Sequence, residues 1–205
     1  MKATTLHRIT GMIIATFVVM HLANHVMALA GPAAHIALME TLRKIYRHPV
    51  LEGILLLAVA TQITTGVVQV RRTKARQLGT WQNIQRWSGL YLVFFFAIHL
   101  SAVFAGRNIL DLDTNLYFGV AGMNTFPFNL FFVPYYALAV TSFFLHIASI
   151  HAKKMTTLIL GLTPEQQARV IAAFGVVLTV VLLYGLTGGF RGLEIPDAYG
   201  VLIGK

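Results

Sequence analysis

The chain has 205 residues, of which 57% are hydrophobic and only 11% charged, about half the charge of an ordinary soluble domain. Its mean hydropathy is +0.71, and 16 Lys and Arg against 7 Asp and Glu leave a net charge of +9. The absence of cysteine excludes disulfides, iron–sulfur ligation and thiol catalysis, and the positive excess accompanies no nucleic-acid motif, so its first use is to set membrane topology.

A membrane span needs about 20 mostly apolar residues. The first, Ile9 to Ala30, lies in the uncharged stretch between Arg8 and Glu40. The second runs from about Pro49 to Val70, with Pro49 in a first-turn position where its missing N–H does no harm. Trp87 to Gly106 is the third. Asn115 to Ala152 is uncharged, but Pro127 and Pro134 in its first half place the fourth helix at Asn129 to Ala152. The fifth, Val170 to Phe190, is announced by Thr163-Pro164-Glu165-Gln166, a Thr cap with Gln three residues on, and ends at Gly188-Gly189. The segment from Leu193 onward is expected to be extended.

The expected fold is therefore all-α and integral to the membrane: one transmembrane domain over residues 1–205, with helices I to IV as an antiparallel four-helix bundle and helix V outside it. A secretory signal peptide competes for the first 30 residues, because Ala28-Leu29-Ala30 mimics a cleavage site. The apolar stretch is long for a signal, and it is read as a retained span.

Five spans put the termini on opposite sides. The N-terminus and the II–III and IV–V loops carry Lys2, Arg8, Arg71, Arg72, Lys74, Arg76, Arg86, Lys153, Lys154 and Arg169. The other side carries Arg43, Lys44, Arg47, Arg107, Arg191 and Lys205. The positive-inside rule then expects a multi-pass protein of an inner or cytoplasmic membrane, N-terminus in the cytoplasm and C-terminus opposite.

The chain also repeats itself. His7-Arg8-Ile9-Thr10-Gly11 is followed by His21-Leu22, and Gln85-Arg86-Trp87-Ser88-Gly89 by His99-Leu100. Both read Arg-x-(Thr/Ser)-Gly, nine residues, His-Leu. Thirteen residues separate each Arg from its His, about 20 Å along a helix. Helices I and III are parallel in this topology, so the two imidazoles reach one depth. Two neutral imidazoles at one level of a bundle can ligate one iron from opposite faces of a haem, and polar groups inside a membrane are costly and usually functional. The plainer alternative is that each His hydrogen-bonds a neighbouring helix. His21 and His99 are the expected iron ligands. His25, one turn beyond His21, is the rival for the first position, but its counterpart in helix III is Val103.

At these residues the chain resembles the membrane-anchor cytochrome b subunits of succinate dehydrogenases and fumarate reductases, closest to their single-chain, five-helix type. The resemblance rests on the His-Arg-x-(Ser/Thr)-Gly signature at His7 to Gly11 and covers about residues 4 to 152. It implies two b-haems, the first carried over onto His21 and His99. The second would take His146 from helix IV, but helix II offers Gln62-Ile63-Thr64-Thr65-Gly66 where the family pattern has His-x-x-x-Gly. An amide is a poor axial ligand, so one haem b is expected, not two. His146 then hydrogen-bonds Gln62, ligates a five-coordinate haem, or pairs with His7 or His151. The resemblance further implies a quinone held by Arg8 and Thr4, where the Arg stabilises negative charge on the quinone oxygens.

The leading expectation is an electron-transfer subunit, itself without catalytic residues. It would sit in lipid, bind flavoprotein and iron–sulfur subunits, and pass electrons between them and quinone. The alternatives are a non-enzymatic bundle of the same fold, with or without haem, built into another membrane complex, and a free-standing haem-b quinone reductase or superoxide-type oxidase.

Overall fold

The computed structural model describes residues 3–72 and 79–205. Lys2, Lys74 and Arg76, counted above among the positive charges, lie outside the described residues. Helix α1, Ala3–Val26, runs on into a 3-10 turn, Met27–Ala30. After it come α2, Pro32–Tyr46; α3, Pro49–Arg72; α4, Thr80–Asn108; α5, Leu116–Val120; α6, Asn129–Lys154; and α7, Pro164–Leu186. Five of these, counting α1 with its 3-10 turn, are long and apolar enough to cross a membrane. The chain is an all-α, multi-pass membrane protein.

The helix ends follow local chemistry. The Thr163 hydroxyl accepts from the Gln166 backbone N–H, and the Gln166 side chain accepts from the Thr163 N–H, with Pro164 at the first helical position. At its other end α7 stops at Leu186, four residues short of the expected Phe190, because Gly188 and Gly189 take positive φ values. α1 starts at Ala3 and α4 at Thr80, earlier than the expected Ile9 and Trp87. Hydropathy stops at a charge, whereas a helix carries Arg8 or Arg86 to the interface without breaking.

α1 and α3 pack antiparallel through Ile14, Ala58 and Val59. α4 and α6 pair in the same way, with Gln85 near Lys153 and Phe95 against Tyr135. α7 lies along α6, where Gly175 makes room for Phe144; a Cβ there would stand 2.3 Å from the Phe144 Cβ. The far end of α7 reaches α1, with Gly185 against the backbone of Ala28 and Leu29. Leu182 and Leu186 join Leu22, Leu116, Val120 and Met123 in the main core. Outward faces are apolar, with Leu57 and Leu130 each 69% exposed, as helices meeting lipid require.

The connections on the C-terminal side are structured. α2 is amphipathic and buries His35 and Met39. In the α4–α6 connection, α5 buries Leu116 and Val120. The expected extended tail instead forms a 3-10 helix over Asp197–Ile203. It is tied down by the Tyr199 hydroxyl, which donates to the Asp113 carbonyl at 3.0 Å, and by the Leu193 N–H, which donates to Asn124 at 2.9 Å.

Candidate functional site

A cavity of about 320 Å³ lies within the C-terminal half of the bundle. α1, α3, α4, α6 and α7 form its walls, while α2 and α5 close its end. α2 turns one stripe toward it, His35, Met39, Leu42 and Tyr46, at the three- and four-residue spacing of a helix face. Most of the lining is apolar. Four histidines are the main exception.

His21 and His99 face each other, ring centroids 6.4 Å apart and planes at 68°. Each rests on an aromatic ring one turn earlier: His21 stacks on Phe17 at 5.5 Å, and His99 on Phe95 at 5.1 Å. The pairing is a direct product of the sequence repeat on parallel helices. His99 lines the cavity, and among the described residues nothing hydrogen-bonds its ring nitrogens.

His21 begins a chain of imidazoles. The Asn24 amide donates to His35 Nε2 at 3.1 Å, which makes that nitrogen an acceptor. His25 Nδ1–H also donates to it, at 3.0 Å. The remaining nitrogen of His25, Nε2, therefore accepts from His21 Nε2–H at 3.1 Å. His25 is thus held toward α2, with its ring 5.1 Å from that of His35. Among the described residues, the buried His35 Nδ1 and Asn24 Oδ1 have no hydrogen-bond partner. Burial pulls the His35 pKa down to about 4, so at neutral pH the ring is uncharged.

His35 was not expected from the sequence. The 15-residue α2 is too short and too charged to span. Its signal was the stripe His35, Met39, Leu42, Tyr46 behind a Gly31-Pro32 start.

Three arginines stand at the closed end. Arg43 pairs with Asp113 at 2.8 Å, Arg107 pairs with Glu52, and Arg47 donates to the Thr114 hydroxyl at 2.6 Å. Burial, then the charges of Arg43 and Arg107, lower the Arg47 pKa.

The opposite end of the bundle is built differently. The Thr10 hydroxyl donates to Gln62 Oε1 at 2.6 Å, and the Gln62 amide donates to His7 Nε2 at 3.1 Å. That leaves His7 Nδ1–H to donate to the Thr65 hydroxyl at 2.8 Å, which donates to the Thr61 carbonyl at 2.7 Å. His146 is elsewhere: its Nδ1 meets the Gln85 carbonyl at 3.1 Å and the Ser88 hydroxyl at 3.3 Å. Gln62 therefore pairs with His7 rather than His146, and His151 binds Gln167 at 2.7 Å. A Cβ at Gly11 would lie 3.2 Å from Gln62, and one at Gly89 would lie 3.1 Å from His146. The two repeat segments thus seat Gln62 and His146 in equivalent cradles of Thr10-Gly11 and Ser88-Gly89.

Thr4 and Arg8 lie one turn apart near the start of α1, both exposed and away from the cavity. Among the described residues no cluster of three or more His, Asp or Glu has the arrangement to hold a metal ion. No family model, curated protein or solved structure matches this chain.

Proposed function

We propose that this chain is a haem b-binding membrane anchor of the succinate dehydrogenase/fumarate reductase type. It passes electrons between flavoprotein and iron–sulfur partners and quinone, in an inner or cytoplasmic membrane with its N-terminus in the cytoplasm. The observation that carries the reading is His99, without a polar partner, facing His21 across an apolar cavity at a centroid distance of 6.4 Å. Two neutral imidazoles facing one another in a mostly apolar cavity are a donor set suited to a haem iron. The residues present fit the group.

Bound there, a haem supplies one-electron transfer with no position open to substrate. His21 and His99 would hold it, with His21 Nε2, now bonded to His25 Nε2 at 3.1 Å, freed for that role. His25 keeps His35 as its second partner. Phe17 and Phe95 fix the two ligand rings, and the apolar walls exclude water.

At the other level Gln62, His7, Thr10 and Thr65 satisfy one another, which supports a single haem. Thr4 and Arg8, exposed at the start of α1, can meet quinone oxygens at the interface. The Gln62 network also favours a second reading, a structural bundle of another complex, since it makes that end a hydrogen-bonded core.

The reduced-minus-oxidised spectrum and haem-to-protein ratio of the purified chain test the proposal. The expected result is one low-spin b-type haem per chain; a pigment-free protein with no co-purifying flavoprotein returns the bundle to the structural reading. Arg8→Ala is expected to slow quinone reduction while leaving haem content intact. Unchanged quinone kinetics would reduce Arg8 to a topology charge.

A further inference from the structure

The cavity that His21 and His99 share has a charged end, and its charges do not balance. Arg43, Arg47 and Arg107 meet there, yet among the described residues their ion pairs use only Asp113 and Glu52. Arg47 has a neutral hydroxyl as its partner, Thr114 at 2.6 Å, and among the described residues the buried Arg43 Nε has no hydrogen-bond partner. Three guanidinium groups thus share two carboxylates, and a guanidinium fork is shaped for a carboxylate.

Arg47, Arg107, Glu52 and Thr114 all line the same cavity as the facing histidines. Arg107 follows His99 by eight residues, about 12 Å along α4. That is the scale of a porphyrin radius with a propionate arm. The remaining wall is mostly apolar, so the cavity suits a flat apolar body with acidic groups at one edge.

We propose that Arg47 and Arg107 form the carboxylate-binding end of this cavity and take the two propionates of the porphyrin that His21 and His99 hold. The inference rests on the haem reading and adds its orientation, propionates toward α2 and the start of α3. Arg47 supplies the guanidinium that, among the described residues, has no ion pair of its own. Arg107 re-partitions between Glu52 and a propionate, and Arg43 stays with Asp113 behind them.

The test is titration of the haem-depleted full chain in detergent with iron protoporphyrin IX and with its dimethyl ester, read by the absorbance of the bound pigment. The wild type should prefer the free acid by about tenfold or more, the worth of a charge-assisted hydrogen bond. Arg47→Gln should remove most of that preference while leaving ester affinity unchanged. Arg107→Gln combined with Glu52→Gln, which avoids stranding the carboxylate, should do the same. Equal binding of acid and ester by the wild type, or a preference that survives both variants, overturns the orientation while leaving the haem site standing. Equal loss of both ligands in both variants assigns the arginines to folding and also overturns it. A wild type that binds neither pigment overturns the haem reading and the orientation together.

Discussion

The two ends of the bundle start from the same sequence frame and reach opposite outcomes. At the N-terminal end, Thr10-Gly11 and Ser88-Gly89 each receive a polar side chain from the next long helix. Gln62 and His146 sit close enough that a Cβ on either glycine would touch them. Gln62 bridges to Thr10 and His7, so polar groups there satisfy polar groups. At the C-terminal end, the His21–Leu22 and His99–Leu100 pairs bring two imidazoles into a mostly apolar space of about 320 Å³, and among the described residues nothing hydrogen-bonds His99. A buried polar group normally has a partner. Gln62, His7, Thr10 and Thr65 fill one another's hydrogen bonds, whereas His99 faces a cavity with room for a ligand.

The largest effects should come from the open end. His99→Ala and His21→Ala are each expected to abolish the low-spin haem spectrum, whereas His25→Ala and His146→Ala leave it largely intact. A low-spin signal surviving in His21→Ala but lost in His25→Ala would move the ligand one turn along α1.

The pH response comes next in size. His35 has a folded pKa of about 4, below its usual 6.5, because burial disfavours the charged ring. Its contribution to stability is therefore complete above pH 6.5 and is lost as the pH falls toward 4. The thermal midpoint in detergent should drop across that window, and His35→Leu should flatten the drop.

At the filled end, Gln62→Leu strands His7 Nε2 and should cost about 1–3 kcal/mol of stability with haem content unchanged. A haem loss there would mean the two ends are not separable. Gly11→Ala and Gly89→Ala should have the smallest effects. A helix gains about 1 kcal/mol from Gly to Ala, offset by crowding of Gln62 or His146, so each net change stays within about 1 kcal/mol. Both should carry the same sign if the cradles are equivalent.

Much of this was legible in the sequence. Hydropathy located the five spans, because lipid demands long apolar helices and little else produces them. The repeat brought His21 and His99 to one level, since equal spacing from equivalent arginines on parallel helices leaves little freedom. What escaped were the parts whose position depends on tertiary contact. α2 is half polar, and its inward stripe has meaning only once there is a cavity to cover, so His35 went unseen. The tail from Leu193 has no periodicity of its own. It coils because Tyr199 and Leu193 find Asp113 and Asn124. The pairing of Gln62 with His7, rather than with His146, required knowing which helix faces α3.

The placement of α7 has a consequence for how the protein is made. Helices join the membrane in chain order, so the fifth is the last to insert. Its two glycine contacts, Gly175 with Phe144 on α6 and Gly185 with Ala28 and Leu29 after α1, are therefore the final joints to form. Before that moment the first four spans are a trough whose side between α1 and α6 is bounded by lipid acyl chains. A flat apolar guest dissolved in the bilayer can slide in edge-on. Once α7 is seated, its contacts with Phe144 and with the Ala28–Leu29 backbone shut that side. On the proposed haem reading, loading is expected during synthesis rather than after it. Gly185→Leu, which holds the clasp off Ala28 and Leu29, is expected to speed exchange of the haem proposed for this cavity while leaving the proposed ligands, His21 and His99, unchanged.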